Sequence, residues 1–474
     1  MLLIGVLPPA NISNEVFHVK QCYPVHVGQI LEADVTGYTS EGSGVARVEN
    51  LAVFIAGAIR GERVKLRIAH IGHTAAYGEL LQVITPSPDR IQPDCPHTKV
   101  CGGCAFRHMT YEEELRAKRQ RVLDALNRIG GFDLADLPIT GGEPVGYRNK
   151  AQYPVANIGG KPKAGFYRER SHTVVPVKRC AILPEEADLA KAAVLRWMEE
   201  QHVSVYDETT RKGLVRHIYV RSAMGTGQVL VCLVINGDGI PNEKSLVDKL
   251  LKTVDNFKTL VLSIHKKPGN AVLGDRFVTL YGEGFLEDTL CGLKFRLSPA
   301  SFYQVNRAQA QKLYEKAVEL AGLTGKETVL ELYCGAGTIT LTMSRSAGKV
   351  IGVEIVEDAI RDAKRNAAAN GVENVEFYCA DASKAAEMFA NAGTRPDVIV
   401  VDPPRKGMTE TVIDAMAAMS PARIVYISCD PATLARDLRL LHGRGYELQQ
   451  AEAFDLFPRC AHVETVVLMS RVKE

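Results

Sequence analysis

Between residues 24 and 86, apolar and polar positions alternate with the period of two expected of half-buried strands. Gly28–Val35, Ala46–Val48, Leu51–Ile55, Arg63–Ile68 and Glu79–Ile84 read as five short strands, with glycine turns such as Glu41-Gly-Ser-Gly between them. Five strands in so short a span predict a small barrel of the OB type. From Tyr111 to Ile129 the period lengthens to that of a helix. Leu115, Val122, Leu123 and Leu126 fall on one face, the charges read as a solvated face, and Gly130-Gly131 ends it. His217–Arg221 and Val229–Ile235 form a hairpin across Gly225-Thr-Gly227. Leu260–Ile264, Phe277–Leu280 and Leu293–Leu297 are further strands, and Glu185–Gln201 and Asn242–Val254 are helices, which together make an α+β middle domain. From Phe302 a helix, Val305–Leu320, opens a strand–helix alternation. Its strands are Thr328–Leu332, Lys349–Val353, Val375–Tyr378, Val398–Val401 and Arg423–Ile427, followed by Thr465–Met469. That rhythm predicts a parallel, doubly wound α/β sheet. The expected organisation is a leader over 1–23, a barrel over 24–86, a central domain over 87–298 and an α/β domain over 299–474.

Length supports several domains, because 474 residues exceed one ordinary core. With 46% hydrophobic and 24% charged residues the composition is that of a soluble globular chain. The start lacks a basic segment and a cleavage site, and no apolar run reaches the ~20 residues of a membrane span. Eleven cysteines, an odd number and partly clustered, point to a reducing compartment, and the cytoplasm is the expected location.

Formal net charge is only +2, so any nucleic-acid surface must be local. Residues 145–180 supply one: Arg148, Lys150, Lys161, Lys163, Arg168, Arg170, Lys178 and Arg179 stand against a single Glu169. Tyr147, Tyr153, Phe166 and Tyr167 are interleaved with them. Cations follow phosphates and aromatic rings stack on bases, so this stretch predicts RNA contact.

Cys95, Cys101 and Cys104 lie within ten residues, with two glycines before the last, a spacing able to wrap a metal or cluster; Cys180 is the best fourth ligand. Four thiolates suit zinc or an iron–sulfur cluster alike. The spacing is not the Cys-x3-Cys-x2-Cys of radical enzymes, so the site reads as structural or redox.

Glu331-Leu-Tyr-Cys-Gly-Ala-Gly-Thr338 follows a strand and opens a helix, and its glycines let a ligand approach the backbone. Glu354 ends the next strand, where a carboxylate can accept from ribose hydroxyls. A dinucleotide site would share both features, but its third glycine is replaced by Thr340. With Asp381 and Asp402 after the following strands, the set points to an S-adenosyl-L-methionine-dependent methyltransferase. Asp402-Pro-Pro-Arg405 has arginine where enzymes that methylate amino groups carry an aromatic residue. Attention therefore moves to Cys429, at the end of a strand, where α/β sheets bind ligands. Carbon 5 of uracil is a poor nucleophile. A thiolate adding to carbon 6 activates it, and a base must later remove the carbon-5 proton. Glu464 is the candidate base and His462 a weaker one.

Phe302-Tyr-Gln-Val-Asn306, Glu331–Gly337, Val401-Asp-Pro-Pro-Arg-Lys-Gly407, Ile427-Ser-Cys-Asp-Pro-Ala-Thr433 and His462-Val-Glu464 together resemble the RNA uracil-5-methyltransferase family. The similarity runs over about residues 24 to 470. It is strongest to the branch with an N-terminal TRAM domain, a small RNA-binding barrel, and a 4Fe–4S cluster. The resemblance implies that Cys429 is the nucleophile and Glu464 the base. It implies that Gln304, Tyr333, Thr338, Glu354, Asp381 and Asp402 contact S-adenosyl-L-methionine, and that Cys95, Cys101, Cys104 and Cys180 hold the cluster. It also implies that helix 111–130 packs on the catalytic domain, that the protein is monomeric, and that its substrate is structured RNA, foremost 23S ribosomal RNA. The T-loop uridine of transfer RNA is the alternative substrate. From other classes, an inactive RNA-binding or chaperone module and a cluster enzyme doing redox or radical chemistry are the competitors. Phe457-Pro-Arg-Cys-Ala-His departs from the family, which often has Gln-Thr or His-Thr at the Arg-Cys pair.

Overall fold

The computed structural model describes residues 23–472, so the leader expected over 1–23 lies outside the described residues except for Tyr23. Alternation in the N-terminal segment does what it predicts. Val64, Leu66 and Ile68 point inward while Arg63, Lys65 and Arg67 point out. The strands Ile30–Tyr38, Gly44–Val48, Leu51–Ile55, Ala75–Thr85 and Arg63–Ile71 follow one another, in that order, round a closed barrel. Contacts divide the described chain into two compact units: this barrel, and a second unit that runs from Pro88 onward and includes Ser40–Gly42.

In the second unit, a seven-stranded sheet has the order Arg276–Tyr281, Phe257–Ile264, Val229–Ile235, Val215–Ser222, Lys150–Ile158, Lys161–Tyr167 and Val174–Pro176. Val229–Ile235 is apolar throughout because both its faces are covered. Val229, Val231, Leu233 and Ile235 pack in the core under the helices Glu185–Glu200 and Glu243–Thr253, whereas Leu230 and Cys232 join the core of the α/β region.

The catalytic sheet has eight strands, in the order Val375–Cys379, Lys349–Glu354, Thr328–Leu332, Val398–Val401, Arg423–Ser428, Glu464–Arg471, Tyr446–Phe454 and Ile139–Thr140. Its first five strands are parallel, as the alternation predicts. Glu464–Arg471 then runs antiparallel to Arg423–Ser428, so the sheet is mixed. Side chains alternate between two cores: Val400, Val425 and Ile427 on one face, Val401, Ile424 and Tyr426 on the other.

Several sequence expectations change. The helix Tyr111–Arg128 buries Val122 and Leu126 in the catalytic core, as the resemblance implies, but the chain after it, unforeseen, adds Ile139–Thr140 to the edge of the catalytic sheet. Leu293–Leu297 does not join the middle sheet. It forms a hairpin with Leu286–Leu290 and packs in the catalytic core. Tyr147 and Tyr153 are buried rather than offered to bases; the Tyr147 hydroxyl donates to the Pro458 carbonyl and that of Tyr153 to Asp188. Among the described residues no helix is long and apolar enough to cross a membrane.

The charged face of the helix Tyr111–Arg128 is also not simply solvated: Glu113, Glu114 and Lys118 are buried. The Lys118 ammonium spends its three donors on Glu114 Oε1 at 2.7 Å, Asp455 Oδ1 at 2.7 Å and the Phe457 carbonyl at 3.1 Å. Burying an ion pair is tolerable when every polar group is satisfied, and breaking one is costly. Lys118→Met should therefore lower the unfolding free energy of this unit by about 3–5 kcal/mol, read from urea denaturation.

Candidate active site

The parallel strands Thr328–Leu332, Lys349–Glu354, Val398–Val401 and Arg423–Ser428 bring their carboxyl ends, with Tyr333, Glu354, Asp402 and Cys429, to one edge of the sheet. Because Glu464–Arg471 is antiparallel, with Thr465 opposite Ser428, its first residue reaches the same edge. Glu464 is thus the first residue of the strand rather than a loop residue ahead of it.

The turn after Thr328–Leu332 is tightly specified. Tyr333 takes φ 70°, a left-handed conformation rare for a bulky residue and a common mark of functional sites. Gly335 (φ 54°) and Gly337 (φ 80°) follow, and Gly337 precedes the seven-residue helix Thr338–Ser344. A Cβ added at Gly335 would point into open space, as a ligand cradle requires. Glu354 frames this space, accepting from the Gly335 N–H at 3.1 Å and the Val356 N–H at 2.9 Å. The Thr338 hydroxyl donates to the Tyr314 hydroxyl at 3.4 Å. Asp381 is engaged as a helix cap, accepting from the Ser383 and Lys384 amides. Gln304 is buried, and Asn149 holds its segment by donating from Nδ2 to the Gln304 carbonyl and from its backbone N–H to the Val305 carbonyl.

Cys429 lies within electrostatic reach of Glu464, Asp402 and Arg405, and Glu464 within reach of Asp402 and Arg405. Burial pushes the Cys429 thiol up to about 11, Glu464 and Asp402 push the same way, and Arg405 opposes them. Burial pushes Asp402 up to about 7. Glu464 is pushed up to about 8, first by burial and then by Asp402, with Arg405 again opposing. The Asp430 carboxylate caps the helix Pro431–His442, fixing the backbone just past Cys429. The Thr433 hydroxyl donates to the Arg405 carbonyl at 3.0 Å, tying the Asp402–Gly407 turn to that helix. Arg405 Nη2 lies 3.2–3.3 Å from the His462 ring nitrogens. Burial and the cations Arg405, Arg121, Lys118 and Arg148 hold His462 down at about 4, which leaves it neutral and a poor base.

Two residues escape a reading of the sequence. Tyr314 is buried beside Thr338 and within electrostatic reach of Asp402 and Glu464. Asp437 accepts from the Tyr426 hydroxyl and the Met408 amide and so braces the turn after Asp402. Phe302, which opens the motif that contains Gln304, is 67% exposed.

Cys95, Cys101, Cys104 and Cys180 are half-buried and form a separate group, in which Cys101 senses Cys95 and Cys104, and Cys180 senses Cys101 and Cys104. Among the described residues no three His, Cys, Asp or Glu side chains are arranged to hold a single metal ion. A cluster in which each thiolate takes a different iron sets its ligands farther apart, and an all-sulfur donor set suits it.

A parallel sheet with a glycine turn and an acid at the next strand end suits a nucleoside cofactor and is common to dinucleotide-binding and S-adenosylmethionine-dependent methyltransferase folds; the similarity to known proteins decides for the methyltransferase. The described family "tRNA (Uracil-5-)-methyltransferase" matches residues 285–472, and a TRAM domain matches 24–81. An uncharacterized RNA methyltransferase of Clostridium acetobutylicum is 41% identical over 96% of this chain and 100% of its own length. One of Halalkalibacterium halodurans is 42% identical over 95% of this chain and 99% of its own. The chain belongs to the RNA (uracil-5-)-methyltransferase family. Its fold is similar to that of the Pyrococcus abyssi tRNA (uracil-54, C5)-methyltransferase in complex with S-adenosyl-L-homocysteine, with TM-score 0.76 and 24% identity over 93% of this chain and 100% of that one.

Proposed function

We propose that the protein methylates carbon 5 of a uridine in 23S ribosomal RNA, acting as a monomer. The observation that carries the carbon-5 chemistry is the meeting of Cys429, Asp402, Glu464 and Arg405 at one sheet edge. S-adenosyl-L-methionine supplies the methyl group. The Cys429 sulfur adds to carbon 6 of the target ring, with Arg405 favouring the thiolate, and carbon 5 takes the methyl group. Glu464 then removes the carbon-5 proton, and the thiolate leaves. Glu354, Tyr333, Gln304, Asp402, Thr338 and Asp381 are the proposed contacts of the methyl donor. Cys95, Cys101, Cys104 and Cys180 would hold a 4Fe–4S cluster. The target base must leave its stack to reach Cys429, and the TRAM barrel and the exposed cations Lys161, Arg168, Arg170, Lys178 and Arg179 would hold the surrounding RNA.

The direct test is incubation with S-adenosyl-L-methionine and total RNA containing 5-fluorouridine. Fluorine cannot leave as a proton, so the enzyme should remain bonded to its substrate through denaturation. Sequencing the trapped RNA should return ribosomal fragments. T-loop fragments would move the substrate to transfer RNA, the substrate after which the matching family is called. Absence of any adduct from protein that binds the methyl donor would sink the carbon-5 mechanism.

Two further outcomes follow. Glu354→Ala should weaken S-adenosyl-L-methionine binding by about 100-fold in calorimetry, because it removes a charged acceptor together with its hold on the glycine turn. Product release should also depend on pH. Glu464 must be ionised to act as a base, so the decay rate of the covalent intermediate should rise with pH through about 8 and level off above it. The same raised value means that the folded state holds this proton more tightly than the unfolded one. That contribution to stability is present below the ordinary glutamate range and is lost as pH rises through about 8.

A further inference from the structure

The catalytic sheet is not the only anchor of the loop that leads into Glu464. From Asp455 to Ala461 this loop lies along the cysteine segment and the helix Tyr111–Arg128. The Ala105 and Phe106 amides both donate to the Arg459 carbonyl, at 2.8 and 3.1 Å. Arg459 sits at φ 72°, a left-handed conformation that costs a non-glycine residue about 1–2 kcal/mol. Its own N–H donates to Glu114 Oε1 at 2.6 Å, and its guanidinium donates to the Met109 carbonyl. The next residue, Cys460, donates from Sγ to the Gly103 carbonyl at 3.2 Å and lies against the Cys104 side chain. Around them Lys118 holds the Phe457 carbonyl, Tyr147 the Pro458 carbonyl and Arg121 the Ala461 carbonyl. The Arg-Cys pair that departs from the family's usual sequence is thus the point where the loop meets the cysteine segment.

We propose that residues 101–106 are the mount of the base loop, and that Arg459 and Cys460 are positioning residues which set Glu464 against the target ring. This rests on the reading of Glu464 as the base. The cysteine site then has a definite role in the reaction: whatever orders Cys101 and Cys104 also orders the loop, and loosening one loosens the other. Cys429 is held independently, by the strand Arg423–Ser428 and the capped helix after it. A slack mount should therefore slow proton removal while sparing thiol addition and methyl transfer.

The test compares the full-length wild type with Cys104→Ala, Cys460→Ala and Cys460→Ser, by hydrogen exchange and by the lifetime of the covalent intermediate on ordinary, unfluorinated RNA. In Cys104→Ala, peptides covering 103–106 and 457–463 should exchange about tenfold faster while Arg423–Ser428 keeps its protection. The intermediate should persist about tenfold longer. Cys460→Ala should raise exchange and intermediate lifetime by about threefold, the effect of losing one weak hydrogen bond, with the single-turnover rate of methyl transfer and the KM for RNA within about 1.5-fold of wild type, and Cys460→Ser should restore most of it. Should Cys104→Ala fail to fold, Cys460→Ala carries the test. Unchanged exchange at 457–463 in the folded variants would overturn the proposal, as would methyl transfer and release slowing by one common factor. Failure of the base assignment is distinguishable, because Glu464→Gln would then release its intermediate on ordinary RNA at the wild-type rate even though the two segments still exchange together.

Discussion

Replacing Cys429 with alanine should abolish turnover. Without the sulfur, carbon 6 of the ring receives no nucleophile and carbon 5 stays unreactive toward a methyl sulfonium. Loss of a covalent nucleophile that works in concert with its neighbours typically costs about 10⁴-fold or more, so the residual rate should lie at the detection limit. No adduct with 5-fluorouridine RNA should survive denaturation. S-adenosyl-L-methionine binding should remain, since the glycine turn and Glu354 stand on other strands. The check is parallel measurement of methyl incorporation, adduct formation and cofactor affinity in the folded variant. Full activity in Cys429→Ala would refute the mechanism.

Glu464→Gln should separate the two halves of the reaction. Glutamine fits the same buried position but cannot take a proton. Addition and methyl transfer should proceed once, and the intermediate should then accumulate on ordinary uridine RNA. Removing a general base lowers its step by about 10²–10⁴-fold, enough to make release limit the cycle. Gel mobility of denatured protein with RNA labelled through its methyl group reads this directly. Because the native carboxyl is pushed up to about 8, the variant should also lose the pH-dependent component of stability that Glu464 introduces. An adduct that forms and decays at the wild-type rate would remove Glu464 from the mechanism and reopen the search for the base. His462, held near 4, would be a weak replacement.

Much of the site could be read along the chain because its chemistry sits at the ends of strands. A short apolar run followed by a polar residue and a helix start marks such an end, which is how Glu354, Asp402 and Cys429 declare themselves. Asp430-Pro431 makes the point sharply: the carboxylate caps the helix and proline suits its first turn, so the residue before them must lie at the tip of a strand. Glu464 was legible as a carboxylate beside a strand, but not as the member of the site that an antiparallel pairing carries back to the same edge. Tyr314 and Asp437 left no comparable mark, since a tyrosine or aspartate within a helix is ordinary.

What the sequence by itself determined are the local elements: the barrel strands, the parallel alternation, the glycine turn and the strand-end residues. Each follows from side-chain period, turn chemistry or capping, which act over a few residues. Only the tertiary structure decided which elements share a core. Lys118 reads as a solvent-facing charge because its partner Asp455 is 337 residues away in the chain. Tyr147 and Tyr153 read as stacking rings because nothing nearby reveals that a sheet and a loop cover them. Ile139–Thr140 is too short to carry a period, yet it extends the catalytic sheet. Cys460 was visible only as an unusual residue, and its contact with Cys104 appears when the catalytic loop folds back over the cysteine segment. Burial depends on what the rest of the chain brings to a residue, and no local pattern encodes that.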